Sequence, residues 1–469
     1  MNSDTDRAKR LTTLLEITLL IGRKDNQIIH TFVIMDSGLV KIYSTENVPR
    51  LRYIAGLILG DILGLSWEVI TDKRKLGKHP VINYSSENIS SSFKIAPDNL
   101  LFESGIRQRE VVISEWKELP VFFQTNPDSD LPFDIFAASF FLVTRYEEHL
   151  EYQPDEYGRF MASSSLAFRN GFLALPVVDL WAKEMSKVFL KKFNTLAFKR
   201  NDYKALLTID TDQPFAYLGK SLFGSIGGLF RDLKNREGHA GERYRIVAKG
   251  EKDPFEVFDY IFEKADKENT DVKYFIPVGD HSKYDKNPSW KNTEYRNLIH
   301  RIAGRYETGL HPSYSAGADS SILNNEFVRL KTILGREAAI SRFHYARLFF
   351  PQSYRNLNRA GITVDYSMGY PDEPGFRAGI ARPYYFYDVP EDNQTTLKIV
   401  PFQVMDETLY NYKKLDPVEA KKVISKLINE TRKAGGLFVS VWHNTSLLDD
   451  PAWQGWREVF EFMLKNQKS

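Results

Sequence analysis

The chain has 469 residues, too many for one average domain, and two or three are expected. Its hydrophobic share of 42% and charged share of 26% are those of a globular protein. A net charge of +2 gives no electrostatic case for nucleic acid or an anionic membrane, and the absence of Cys excludes disulfides, thiolate metal sites and a Cys nucleophile. Any metal must therefore be held by carboxylates and by some of the 9 His.

Residues 1–23 carry Arg7, Lys9 and Arg10 ahead of an apolar run from Leu11 to Ile21. Glu16 interrupts that run and no small-residue cleavage site comes after it, so it reads as an early strand or helix of the fold rather than a signal peptide. No run approaches the ~20 apolar residues of a membrane span, and a cytoplasmic location is expected. Runs at 31–35 and 40–43 flank Asp36-Ser-Gly38 as a predicted hairpin. The spacing of Leu51, Ile54, Leu57, Ile58 and Ile62 predicts a helix from Pro49 to Gly64. Strands are expected at 81–84 and 111–114, and helices at 132–150 and 176–193. The helix at 132–150 ends in Arg145, Glu147, Glu148 and His149. Arg145 and Glu147 could reach a site in a neighbouring domain, but a core helix ending in a solvated charge cluster is the plainer reading. Gly224, Gly227 and Gly228 precede no Lys-Ser/Thr, which argues against a phosphate loop.

A polar link at 199–202 marks the expected boundary between a mixed α+β N-terminal domain (1–200) and a second domain (201–469). Beyond it strands at 205–209, 272–276, 308–311, 339–345, 363–367, 397–402 and 437–442 alternate with helices at 254–267, 292–306, 324–334, 352–360 and 417–434, with a helical or loop insert at 218–252. That alternation predicts a parallel sheet or an α/β barrel with its site at the C-terminal strand ends. The strand ends carry the polar residues. Asp210 and Asp212 close the first, on one side of an extended chain. His311 closes another. Arg342 and His344 share a face if 339–345 is a strand, and His443 closes the last.

This half resembles the polysaccharide deacetylase superfamily (NodB-like, carbohydrate esterase family 4). The family's Thr-Phe-Asp-Asp motif is similar to Thr208-Ile-Asp-Thr-Asp212, with one residue inserted between the Asp pair. The resemblance implies that Asp210 is the catalytic base and Asp212 a metal ligand. The His-Ser/Thr-x-x-His motif, often preceded by Glu-x-Gly-x, resembles Glu307-Thr-Gly-Leu-His311 and implies His311 as a second ligand; Pro312 replaces the Ser/Thr and Ser315 stands where the second His belongs. Arg342 resembles the Arg that tethers the base, and Val439-Ser-Val-Trp-His443 resembles the motif whose His is the general acid. Phe133-Asp-Ile-Phe-Ala-Ala-Ser139 and Gly375-Phe-Arg-Ala-Gly-Ile-Ala-Arg-Pro-Tyr384 resemble a bacterial group in which an uncharacterised domain precedes the deacetylase-like one.

His344 is the candidate for the missing ligand, completing an Asp212, His311 and His344 set for a divalent metal such as Zn²⁺. His281 is its rival, and His300 is read as structural. Asp365 could hold Arg342 or His443, or merely cap a strand. Arg377 and Arg382 with Tyr384, Tyr385 and Tyr387 form a loop that could bind a sugar or lie in solvent. The expectation is a distorted, incomplete (β/α) deacetylase-like barrel acting as a metal-dependent hydrolase that removes an N-acetyl group from an amino sugar or polysaccharide. Its partner would be an N-acylated glycan substrate, with no nucleic acid. The alternative, prompted by Ser315, is a carbohydrate-binding or regulatory protein that kept the fold and lost turnover.

Overall fold

Leu39–Tyr43 forms strand β1, but it runs parallel to β2 (Ser66–Ile70) on one edge and β3 (Val81–Asn83) on the other. With β4 (Phe93–Lys94) these make a four-stranded parallel sheet in the order β2-β1-β3-β4. The computed structural model describes residues 38–218, 244–246 and 248–468. The expected strand at 31–35, the reading of residues 1–23, the glycines at 224–228 and most of the insert at 218–252 lie outside the described residues.

The helix expected from Pro49 starts there as α1 (Pro49–Ala55) and continues from Gly56 to Ile62 in the wider π winding. Trp67 lies against its glycine face: a Cβ at Gly56 or Gly60 would stand 3.2 or 3.3 Å from the indole. The strand expected at 111–114 begins only at Ser114, as β5 (Ser114–Trp116), turning through left-handed Lys117 and Glu118 into β6 (Leu119–Val121). The helix expected at 132–150 is shorter. Asp134 caps α2 (Ile135–Val143), whose residues are all buried, and the helix stops where Arg145 turns left-handed at φ 54. The charged end is buried rather than solvated. Arg145 donates to Glu147 at 2.8 Å, to Glu148 at 2.7 Å and to the Tyr370 hydroxyl at 2.7 Å, and Arg377 donates to Glu148 at 2.9 Å. These charges neutralise one another inside the fold and do not line the site. The amphipathic α3 (Val177–Lys192) comes next.

The main sheet then unrolls in order. Strand β7 (Lys204–Asp210) leads through α4 (Phe258–Lys267) to β8 (Val272–Ile276), through α5 (Thr293–Ala303) to β9 (Glu307–Leu310), through α6 (Ser320–Leu334) to β10 (Ile340–Ser341), and through α7 (Gln352–Arg359) to β11 (Val364–Asp365). Each new strand lies parallel beside the last. Next come β12 (Tyr384–Asp388), β13 (Asn393–Ile399), β14 (Val404–Met405), α8 (Pro417–Ala434), β15 (Leu437–His443) and α9 (Trp456–Asn466). The order is β12-β13-β11-β10-β9-β8-β7-β15-β14, parallel except for the antiparallel edge strand β12. Tyr384, Tyr385 and Tyr387, expected on a loop, thus belong to an edge strand. Arg382 is engaged with the buried Asp179, and Arg377 with Glu148.

This sheet cannot be flat. In its strand order β13 and β14 are separated by seven spacings, about 34 Å at the usual ~4.8 Å. Yet only residues 400–403 join them, a reach of at most about 19 Å over five Cα steps. The sheet therefore curls back on itself. Leu206, Phe275, Ile340, Tyr366, Val400, Phe402, Val439 and Val441 pack together on one face, while the alternating Leu207, Ile209, Phe438 and Trp442 enter the larger core with the helices. Among the described residues no helix is long and apolar enough to cross a membrane.

Candidate metal centre

Strand register aligns the polar residues before any side-chain contact is considered. Asp210 at the end of β7 is paired with His443 at the end of β15. Leu310, which precedes His311, is paired with Ser341, which precedes Arg342. Period-two alternation then puts Asp210 and His443 on the same face as Leu206, Val439 and Val441.

Asp212 sits two residues past Asp210, between two imidazoles. His311 Nε2 is 3.1 Å from its Oδ1 and His344 Nε2 is 3.1 Å from its Oδ2. The other ring nitrogens are committed to acceptors: His311 Nδ1 to the Arg342 carbonyl at 2.6 Å, and His344 Nδ1 to Asp285 at 2.9 Å. Each Nδ1 must therefore carry the proton, which aims each Nε2 at Asp212. An acceptor behind the far ring nitrogen is what fixes the tautomer and orientation of metal-binding histidines. One ligand atom from each of Asp212, His311 and His344 falls within 4.8 Å of the others. Asp212 Oδ1 and His311 Nε2 are buried and neither has an aligned hydrogen bond, despite their 3.1 Å separation. Two close, unsatisfied polar atoms of this kind converge on a third position, so the residues fit a divalent cation with nitrogen and oxygen ligands.

The local electrostatics agree. Burial works to raise the Asp212 pKa, but the charge of His344, the close approach of His311 and the hydrogen bond with His344 hold it well below the usual carboxylate range. Burial works against the charged form of His344, yet Asp212 and Asp285 push its pKa up to about 9. Asp285 is lowered against its own burial, chiefly by its hydrogen bond with His344.

On the other side of Asp212 stands a dyad. His443 Nε2 lies 3.7 Å from Asp212 and 4.0 Å from Asp210. Its Nδ1 donates to Asp406 at 2.7 Å, and its backbone N–H donates to the second oxygen of the same carboxylate at 2.7 Å. Burial opposes the imidazolium, but Asp406 raises the His443 pKa well above its ordinary value. Asp210 Oδ1 is 3.4 Å from Arg342 Nη1. The buried Arg342 guanidinium lies 4.8 Å from the Phe275 ring centre and 5.4 Å from that of Phe402, and its Nε donates to the Tyr366 carbonyl at 3.1 Å. Arg342 thus holds Asp210 with its side chain and His311 with its backbone.

These groups open into a cavity of about 390 Å³, whose walls also include Arg159, Lys283, Tyr284, Tyr345, Glu407 and Tyr412. The structure brings together Asp210, Asp212, His311, Arg342, His344 and His443. It leaves His281, His300 and Ser315 exposed. The route to His344 differs from expectation. β10 ends at Ser341, and His344 begins a tight turn rather than continuing a strand. Asp365 holds neither Arg342 nor His443: it is buried and accepts from Ser341 at 2.8 Å and from the Ser367 hydroxyl at 3.0 Å. The carboxylates that orient the histidines are Asp406 and Asp285, which sequence reasoning missed. Asp406 comes directly after the two-residue strand β14, and its polar position just past an apolar strand was the available signal.

Residues 40–194 match the model of a family of unknown function, DUF7033. No curated protein sequence matches the chain. Among solved structures, one described as a polysaccharide deacetylase from Mycobacterium smegmatis aligns at 15% identity and TM-score 0.37, over 57% of this chain and 84% of that one. Puue allantoinase aligns at 10% identity and TM-score 0.36, over 56% and 84%. A 4-α-glucanotransferase from Thermococcus litoralis aligns at 16% identity and TM-score 0.32, over 57% and 37%.

Proposed function

We propose that the chain is a metal-dependent hydrolase that cleaves an acyl–nitrogen bond, removing an N-acetyl group from an amino sugar or polysaccharide. In this reading the curled sheet is an incomplete (β/α) barrel, residues 201–469 carry the chemistry, and the ion held by Asp212, His311 and His344 is Zn²⁺. The observation that carries the reading is the pairing of that ligand set with the Asp406–His443 dyad, whose Nε2 lies 3.7 Å from Asp212 and 4.0 Å from Asp210. When bound, the ion supplies Lewis acidity and a lowered water pKa.

The chain's own groups perform the proton transfers. Asp210, held in place by Arg342, accepts a proton from the attacking water. His443, kept protonated by Asp406, delivers its Nε2 proton to the departing nitrogen, which leaves as a neutral amine instead of a high-energy amide anion. The burial of Arg342 and the aromatic rings around it keep the Asp210–Arg342 contact out of bulk water, where it would be screened.

Ser315 prompted the alternative of a protein without turnover. His344 beside Asp212 offers the third ligand that Ser315 lacks, which supports the enzyme over that alternative. The test is acetate release from N-acetylated amino-sugar oligomers by the full chain loaded with Zn²⁺ or Co²⁺. Acetate production that stops with a chelator is expected. Metal uptake without acetate release from any N-acetylated sugar contradicts the reading and favours the binding protein.

A further inference from the structure

His344 stands on the least regular backbone near the site. Tyr345 and Ala346 come after it with φ +61 and +49, a left-handed conformation that residues with side chains adopt only when their surroundings impose it. The restraint comes from the N-terminal region. Arg159 donates through Nη1 to the Tyr345 carbonyl at 3.1 Å and through Nη2 to the Tyr412 hydroxyl at 3.1 Å. Asp155 fixes the guanidinium from behind, 2.7 Å from Nε. The Tyr157 ring stacks on the Tyr345 ring with centres 5.0 Å apart. The Tyr157 carbonyl accepts from Arg347 at 2.7 Å, and Arg347 also donates to the Tyr314 carbonyl at 2.8 Å. One turn of the N-terminal region therefore ties down the loops after β9 and β10. Gly158 at φ +78 makes the turn tight enough to do so.

The two histidine ligands differ in what they need. His311 comes directly after β9, so sheet register and the Arg342 carbonyl place it. His344 lies three residues beyond the end of β10, where a last backbone bond, from its N–H to the Pro312 carbonyl at 3.0 Å, precedes the left-handed Tyr345 and Ala346. The Arg159 side chain is 4% exposed, so its hydrogen bonds are shielded from competing water.

We propose that the turn Asp155–Arg159 is part of the metal centre. Arg159 is a positioning residue that holds the Tyr345 carbonyl, and through it the His344 imidazole, at ligand geometry. The N-terminal region completes the site rather than serving as a separate binding module. The proposal rests on reading Asp212, His311 and His344 as the metal set.

The test is a Co²⁺ titration of the full chain, monitored by visible absorption and calorimetry, with thermal unfolding of the metal-free protein alongside. Arg159→Met should weaken Co²⁺ binding by about 10- to 100-fold, the usual cost of losing a group that orients a ligand. It should also change the absorption bands, while the metal-free protein unfolds near the wild-type temperature. Arg159→Lys keeps the charge without the fork and should recover only part of the affinity. Should Arg159→Met fail to fold, Tyr157→Leu removes the ring stack alone and should weaken binding several-fold. Wild-type affinity and spectrum in the folded variants overturn the proposal. A wild-type protein that takes up no Co²⁺ removes the metal reading itself and this proposal with it.

Discussion

Asp406 grips His443 twice: one carboxylate oxygen accepts from the imidazole Nδ1 at 2.7 Å and the other from the backbone N–H of the same residue at 2.7 Å. The Ser446 hydroxyl also donates to that second oxygen. A carboxylate with this many donors is fixed in place, and a carboxylate fixed behind an imidazole favours the protonated imidazole in a buried site.

The Asp406→Asn variant removes the largest influence raising the His443 pKa while leaving the shape nearly unchanged. Deprotonation of His443 then takes over at lower pH. The alkaline limb of kcat/KM against pH should move down by about one to two pH units. A profile superimposable on wild type contradicts His443 as the acid that Asp406 maintains.

Metal binding must displace the proton that His344 holds in the metal-free protein, where its pKa is pushed up to about 9. Apparent affinity for Zn²⁺ should therefore tighten by about tenfold per pH unit between pH 6.5 and 9, one proton leaving per ion. Stability has the opposite sign. A raised folded-state pKa stabilises the metal-free protein fully below 6.5, and that contribution is lost as pH rises towards 9. The unfolding temperature of the metal-free protein should fall across this window, and that of the metal-loaded protein should not. His344→Ala should abolish the pH dependence of affinity and weaken binding strongly, whereas His281→Ala, at an exposed position, should change neither.

Asp210 makes no contact with the imidazoles of His311 or His344 and is held by Arg342 at 3.4 Å. Asp210→Asn should lower kcat by about 10²–10⁴-fold with metal stoichiometry and affinity unchanged. Loss of metal in this variant would make Asp210 a ligand instead of a base.

Glu148 is the only carboxylate shared by Arg145 and Arg377 in their buried cluster among the described residues. Glu148→Ala leaves two guanidinium groups short of a partner. It should destabilise the fold by about 3–5 kcal/mol, read as a lower urea midpoint. A loss below about 1 kcal/mol would mean that the cluster is hydrated and its charges are not dependent on one another.

Helix α8 was legible to the residue because its signals are local: Pro417 at the first position, the Asp416–Glu419 capping box and left-handed Gly435 at its end. Strand β8 was equally plain as an apolar run bounded by polar residues. β12 was hidden because its tyrosines and flanking arginines look like a polar loop. Its pairing partner β13 begins only five residues on, but the buried acids Asp179 and Glu148 that neutralise Arg382 and Arg377 are distant in sequence. The same distance hid the carboxylates behind the site. Asp406 meets a histidine 37 residues away and Asp285 one 59 residues away, and neither carries a local pattern. His344 was placed near Asp212 on the supposition of a strand; extended Phe343 and a bond from the His344 N–H to the Pro312 carbonyl carry it there just past the strand's end, and the left-handed turn comes after it.

Whether Asp212, His311 and His344 hold an ion decides everything proposed for this site. Calorimetric titration of the metal-free full chain with Zn²⁺, checked by metal analysis after dialysis, should give one ion per chain, with binding lost in His311→Ala. Protein that remains metal-free after exposure to Zn²⁺, Co²⁺ and Ni²⁺ in turn would contradict it.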